Sequence, residues 1–153
     1  MAANSGEVVL VMKKVFKTDP ETLFDAWTKP SWMKQWFHAR LNWITSVAEV
    51  DLKPGGAWKV VMKKDDGFEH PTFGHYREID RPNKLSFTWH PYGKADYETL
   101  VTLRFKKLTE ATTELTLTHE GLRNDKERAD HTGGWTGCLE SLGDFIDSRA
   151  SCS

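Results

Sequence analysis

The sequence predicts an α+β domain of about seven antiparallel strands, two short helices after the first strand, and a long C-terminal amphipathic helix. Three observations carry that expectation. From Ile44 to His119 the apolar residues recur with a period of two and are interrupted by turn signals. From Asp125 to Ser148 the period becomes helical, with His131, Trp135, Leu139, Leu142 and Ile146 spaced four, four, three and four. Strands and helices are segregated along the chain instead of alternating, which separates α+β from α/β.

The elements follow in order. Glu7 to Lys17 reads as a strand with Leu10, Met12 and Phe16 on one parity. Asp19-Pro20 supplies an N-cap and a proline at the first helical position, and Leu23, Phe24 and Trp27 follow at helical spacing. A second short helix starts at Pro30-Ser31 and places Trp32, Met33, Trp36 and Phe37 on one face. Ala48, Val50 and Leu52 then share a parity before the turn Lys53-Pro54-Gly55-Gly56, and Trp58, Val60 and Met62 share one after it. Beyond the turn Asp65-Asp66-Gly67 come Phe73 to Ile79, the triplet Leu85, Phe87 and Trp89, and then Val101, Leu103 and Phe105. The last strand carries Leu115, Leu117 and His119, with Thr116 and Thr118 on the other face, so the meander has one wet side. Asn124 or Asp125 caps the long helix. Gly133-Gly134 conflicts with it, each glycine costing about 1 kcal/mol relative to alanine. A close approach of backbone to a strand, or of a bound molecule, is expected to offset that cost.

Composition narrows the function classes. The 153 residues suit a single domain, residues 1–153, with an ordered core of about 7–148. Twenty-one basic and twenty-two acidic residues give a net charge of −1, and the lysines are interspersed, so no nucleic-acid partner is expected. No apolar run reaches the ~18 residues of a membrane span, and Val8 to Met12 is too short for a signal core, so the expected location is the cytoplasm. If one helix joins Cys138 to Cys152, their separation is roughly 21 Å, too far for a disulfide. Cys138 reads as a small buried residue and Cys152 as part of a loose tail.

A family resemblance rests on the segment Lys14 to Thr28, Trp36-Phe37, Asp51 to Trp58, and Gly74 to Ile79. Asp80 to Trp89, Leu117 to Leu122, and His131-Thr132-Gly133-Gly134-Trp135 complete it. In this order and over nearly the whole chain, these segments resemble the activator-of-heat-shock-protein-90-ATPase homologue-like family of the START-like superfamily, which has the helix-grip fold of the birch pollen allergen. The resemblance implies a curved sheet wrapped around and gripping the C-terminal helix, with a cavity between helix and sheet that often takes apolar or amphipathic ligands. It does not imply one activity, since relatives include co-chaperone domains, lipid carriers and polyketide cyclase-like proteins. The chain has no counterpart of the extra N-terminal module of eukaryotic co-chaperone relatives, so heat-shock-protein activation is not expected.

Trp36, Phe37, Trp58, Trp89 and Trp135 lie on the apolar parity of their elements and are expected to face the space between sheet and helix. They form either a bulky core or, given the implied cavity, its wall, joined by Leu139 one turn after Trp135. His119 and His131 can both reach the interior and orient a ligand oxygen or carry a proton. The alternatives are a satisfied histidine near a strand end and one in an exposed first helical turn. Tyr76 is a further candidate, although Phe73, His75 and Ile79 compete for the inward parity of its strand. The six histidines show no metal-ligand spacing, no nucleophile elbow or phosphate loop is present, and alternation places most of Glu49, Asp51, Glu78 and Glu98, which could otherwise be paired carboxylates, on the wet face. No cofactor, metal or catalytic set is expected. The sequence therefore points to binding of a small hydrophobic or aromatic ligand by a monomer or weak homodimer. The alternatives are a cyclase- or hydrolase-like enzyme pairing His119 with an acidic or tyrosine partner, and a protein-interaction domain.

Overall fold

The computed structural model describes residues 8–40 and 42–151. Strand β1 (Val8–Phe16) is followed by helices α1 (Pro20–Ala26) and α2 (Pro30–Trp36). Strands β2 (Ile44–Val50), β3 (Ala57–Lys63), β4 (Glu69–Asp80), β5 (Lys84–Trp89), β6 (Thr99–Thr109) and β7 (Thr112–Leu122) come next, and helix α3 (Asp125–Ser151) closes the chain. The strands form one antiparallel sheet in the order β1-β7-β6-β5-β4-β3-β2. The sheet curves round α3, giving the α+β class that the periodicities predict and the helix grip that the resemblance implies. Met1 to Gly6 and Cys152 lie outside the described residues.

Capping chemistry sets the helix starts. The Asp19 carboxylate accepts from the Thr22 amide at 2.7 Å, with Pro20 at the first position of α1. Of the two cap candidates for α3, Asn124 serves: its side-chain oxygen accepts from the Glu127 amide at 2.9 Å. Asn124→Ala is expected to lower stability by about 1 kcal/mol, measured as a shift of the urea midpoint with an unchanged slope.

Burial follows the predicted parities on most strands. Trp58, Val60 and Met62 of β3, Leu85, Phe87 and Trp89 of β5, and Leu115, Leu117 and His119 of β7 all face the core. From α3, Trp135, Cys138, Leu139, Leu142, Phe145 and Ile146 meet them. Two expectations need correction. Leu52 does not continue the inward face of β2; the strand ends at Val50, where the chain enters the Pro54-Gly55 turn, and Leu52 is 43% exposed. The expected close backbone approach at Gly133-Gly134 is also misplaced. A Cβ on either glycine would meet nothing within 4 Å, whereas a Cβ on Gly137 would overlap the Ala39 carbonyl. The contact lies one turn later and involves the α2–β2 connection instead of a strand.

β4 explains why the direction of Tyr76 was ambiguous. Tyr76 pairs with Phe87 and Ile79 with Leu85, and the register shifts between Tyr76 and Glu78. That bulge lets residues three apart face the same side. Tyr76 is buried, and Ile79 packs on the core from its edge.

Candidate functional site

The inward aromatic residues form a continuous array of rings. Trp36 stacks on Phe37 at 4.8 Å between centroids, Phe37 reaches Trp58 at 6.5 Å, and Trp58 stacks on Trp89 at 5.5 Å. Trp89 lies 5.0 Å from Trp135, and His119 stands edge-on to Trp89 at 6.0 Å. His131 meets His119 edge-on at 5.0 Å. Tyr76 joins through Phe87 at 6.3 Å, while Leu139 is buried in the core cluster below Trp135.

A buried indole N–H needs an acceptor, and most of these find one. Trp36 donates to the Ala26 carbonyl at 2.8 Å and Trp58 to the Thr88 carbonyl at 3.2 Å. Trp135 donates to His119 Nδ1 at 3.1 Å. Trp27 Nε1 is buried with no partner among the described residues.

The Trp135 contact fixes the state of His119. Indole can only donate, so Nδ1 must be the unprotonated acceptor. His119 Nε2 lies 2.7 Å from Thr99 Oγ1, whose own proton goes to the Trp89 carbonyl at 2.8 Å. Nε2–H therefore donates to Thr99, and both ring nitrogens are committed. His119 is fully buried. Desolvation first, then the nearby His131, push its pKa down to about 3. Its partners are a tryptophan and a threonine, not an acid or tyrosine, and it serves as a structural hub joining β7, β6, β5 and α3.

An open pocket of about 210 Å³ lies at one end of this array. Trp89 from β5 and His131, Gly134, Trp135 and Cys138 from α3 form its inner wall. Ala39 and Trp43 from the α2–β2 connection, Met62 from β3, and His70, Pro71 and Thr72 from β4 form the opposite side. Tyr92, Gly93 and Asp130 complete the lining. Of the sequence candidates, Trp89, His131 and Trp135 thus line this pocket. Phe37, Trp58 and Tyr76 instead border a separate void of about 10 Å³, room for a single water-sized molecule. Trp36, His119 and Leu139 line neither space.

The polar groups at the pocket are few. His131 Nδ1 sits 2.8 Å from the Glu127 carbonyl and must donate to it. Tyr92 donates to Asp130 at 2.8 Å, and Lys126 approaches the same carboxylate at 3.2 Å. The Tyr92 hydrogen bond, followed by Lys126, holds the Asp130 carboxyl below its usual range. Tyr92 adopts φ 59°, ψ 20°, a left-handed conformation uncommon for a bulky side chain. Burial pushes the Cys138 thiol up to about 12, so it remains protonated. Among the described residues no group of three metal-ligating side chains comes together, and no helix is long and apolar enough to cross a membrane.

Sequence reasoning missed the outer wall. Trp43 lies in irregular chain, where periodicity is silent. His70, Pro71 and Thr72 belong to β4, which begins at Glu69, four residues before the predicted strand. The available signal was the hairpin turn at Asp65 to Gly67, which pairs Met62 with His70.

The family described as activator of Hsp90 ATPase homolog 1-like protein matches residues 17–147. An AHSA1-like protein from Aeromonas hydrophila superposes with a TM-score of 0.81 at 22% identity, over 94% of each chain. The AHSA1 protein from Silicibacter pomeroyi gives 0.79 at 23% identity, over 93% of this chain and 99% of its own. An Hsp90 activator from Plasmodium falciparum gives 0.69 at 25% identity, over 88% and 92%. No curated protein gives a significant match.

Proposed function

The chain belongs to the activator of Hsp90 ATPase homolog 1-like family, and from that premise we propose that it binds a small, largely apolar aromatic molecule between sheet and α3. The observation that carries this reading is the pocket walled by Trp43, Met62, Trp89 and Trp135 with only a few polar groups in its lining. A cavity of about 150 Å³ suffices for benzene, so about 210 Å³ suits one or two fused rings. Burial at ~25 cal/mol per Å² supplies the affinity. His119 has no free nitrogen for acid–base work, which favours binding over a reaction built on that residue.

Gly134 offers a test that does not damage the fold. It lies in the pocket wall, its φ is not positive, and a side chain there meets open space. Gly134→Leu is expected to fill the pocket while removing a helix-interior glycine, raising stability by up to about 1 kcal/mol. Binding of 1-naphthol, followed by quenching of tryptophan fluorescence, should fall at least tenfold. Gly133→Ala, outside the pocket wall, should give a similar stabilisation and leave binding intact. Unchanged affinity in Gly134→Leu would place the ligand elsewhere.

A further inference from the structure

The pocket offers an unpaired acceptor on the same helix face as Trp135. His131 Nδ1–H is committed to the Glu127 carbonyl at 2.8 Å. With Nδ1 donating, the unprotonated form of Nε2 offers a lone pair, and this nitrogen has no hydrogen-bond partner among the described residues. The Thr72 hydroxyl donates to the Val60 carbonyl at 2.9 Å, leaving its oxygen to accept. The Tyr92 proton goes to Asp130, whose carboxylate is an acceptor only. The remaining donors are the His70 ring, the weak Cys138 thiol and the indole N–H groups of Trp43 and Trp89, none of which carries a formal lysine or arginine charge.

Charge points the same way. Among the described lining residues there is no lysine or arginine, and there is one carboxylate, Asp130. Two cations contact lining residues from outside: Lys126 is 3.2 Å from Asp130, and Lys64 lies 5.9 Å from the ring centre of Trp43. A carboxylate or phosphate ligand would meet the Asp130 carboxylate and lose its hydration without gaining a lysine or arginine. A ligand hydroxyl, by contrast, has an unpaired acceptor waiting on the inner wall.

Resting on the pocket reading above, we infer that the ligand is a neutral aromatic alcohol whose hydroxyl donates to His131 Nε2. His131 is then the residue that sets specificity, while the tryptophans supply affinity. Anionic lipids and aryl carboxylates are discriminated against by the same acceptors and by Asp130.

Three probes of similar shape separate the possibilities: 1-naphthol, which donates; 1-methoxynaphthalene, which cannot; and 1-naphthoate, which is anionic. Titration calorimetry on the wild-type protein should rank naphthol about tenfold tighter than the methyl ether, the contribution of one buried hydrogen bond. The naphthoate should bind at least tenfold more weakly than naphthol. In His131→Phe, which retains a ring beside His119 and Tyr92, naphthol and the ether should become equal. Retained binding of the ether and an unchanged melting transition report that the variant is folded. Equal affinities in the wild type, naphthoate as the tightest ligand, or a naphthol advantage that survives in His131→Phe would each overturn the inference. Binding of none of the three to the wild type would instead overturn the pocket reading beneath it.

Discussion

Lowering the pH from 6.5 to 5 is expected to remove on the order of 2 kcal/mol of folding stability, with His119 as the main source. The unfolded chain takes up a proton on this imidazole near its ordinary value of 6.5, while the folded chain resists it until about 3. Between those values the unfolded state binds more protons, so stability is full above 6.5 and is lost progressively as the pH falls toward 3. Besides the cost of desolvation there is a geometric reason. A proton on Nδ1 would face the Trp135 N–H 3.1 Å away, turning a hydrogen bond into an opposition of two donors. His38 contributes in the same direction, its pKa lowered by burial. Chemical denaturation at successive pH values reads the effect directly. His119→Gln retains an amide that both donates and accepts but cannot titrate. It should be less stable at pH 7 and show a clearly shallower loss toward pH 5. His119→Ala should cost about 3–5 kcal/mol at neutral pH, because it opens a cavity in the core and leaves the Trp135 N–H and Thr99 without their partner. An equally steep acid limb in His119→Gln would remove His119 from this account.

The features legible in the sequence were those that repeat along one element. The triplet Leu85, Phe87 and Trp89, the alternation Leu115, Leu117 and His119, and the stripe from His131 to Ile146 each recur often enough to fix a face. What escaped depends on contacts between elements. The Trp135–His119 hydrogen bond joins α3 to β7, and neither local pattern shows that the indole will consume the imidazole nitrogen. The bulge beyond Tyr76 shifts the parity of β4 by one residue, so any count of alternation across it gives conflicting answers. The pocket's outer wall comes from Trp43 and Tyr92 in irregular chain and from the first residues of β4. There the positions are set by a hairpin and by a left-handed residue, not by periodicity. The glycines illustrate the same division. Their cost in α3 was readable, but which one touches backbone was not.

Gly137→Ala should therefore destabilise the protein, by about 1–3 kcal/mol or more, even though alanine is the better helix former. The added methyl has no space, since it would overlap the Ala39 carbonyl, with the carbonyl carbon only 2.7 Å away. The obstacle is backbone, which cannot rotate aside as a side chain can. One turn further along α3, Ser141 donates to His38 Nε2 at 3.4 Å, and His38 Nδ1 lies 3.1 Å from Thr45 Oγ1. The Thr45 hydroxyl in turn donates to the Phe37 carbonyl at 2.8 Å. Gly137 and Ser141 thus dock His38 and Ala39 of the α2–β2 connection onto the helix, and Ala39 and Trp43 from that connection line the pocket. Pushing it outward should weaken ligand binding together with stability. Gly133→Ala, four residues earlier on the same helix, is expected to raise the denaturation midpoint, because its Cβ meets open space. The two substitutions are chemically identical, so helix propensity alone predicts the same sign for both. Opposite shifts in paired urea titrations would show that close backbone packing at Gly137, and not propensity, decides the outcome; a stabilising Gly137→Ala would refute the docking contact.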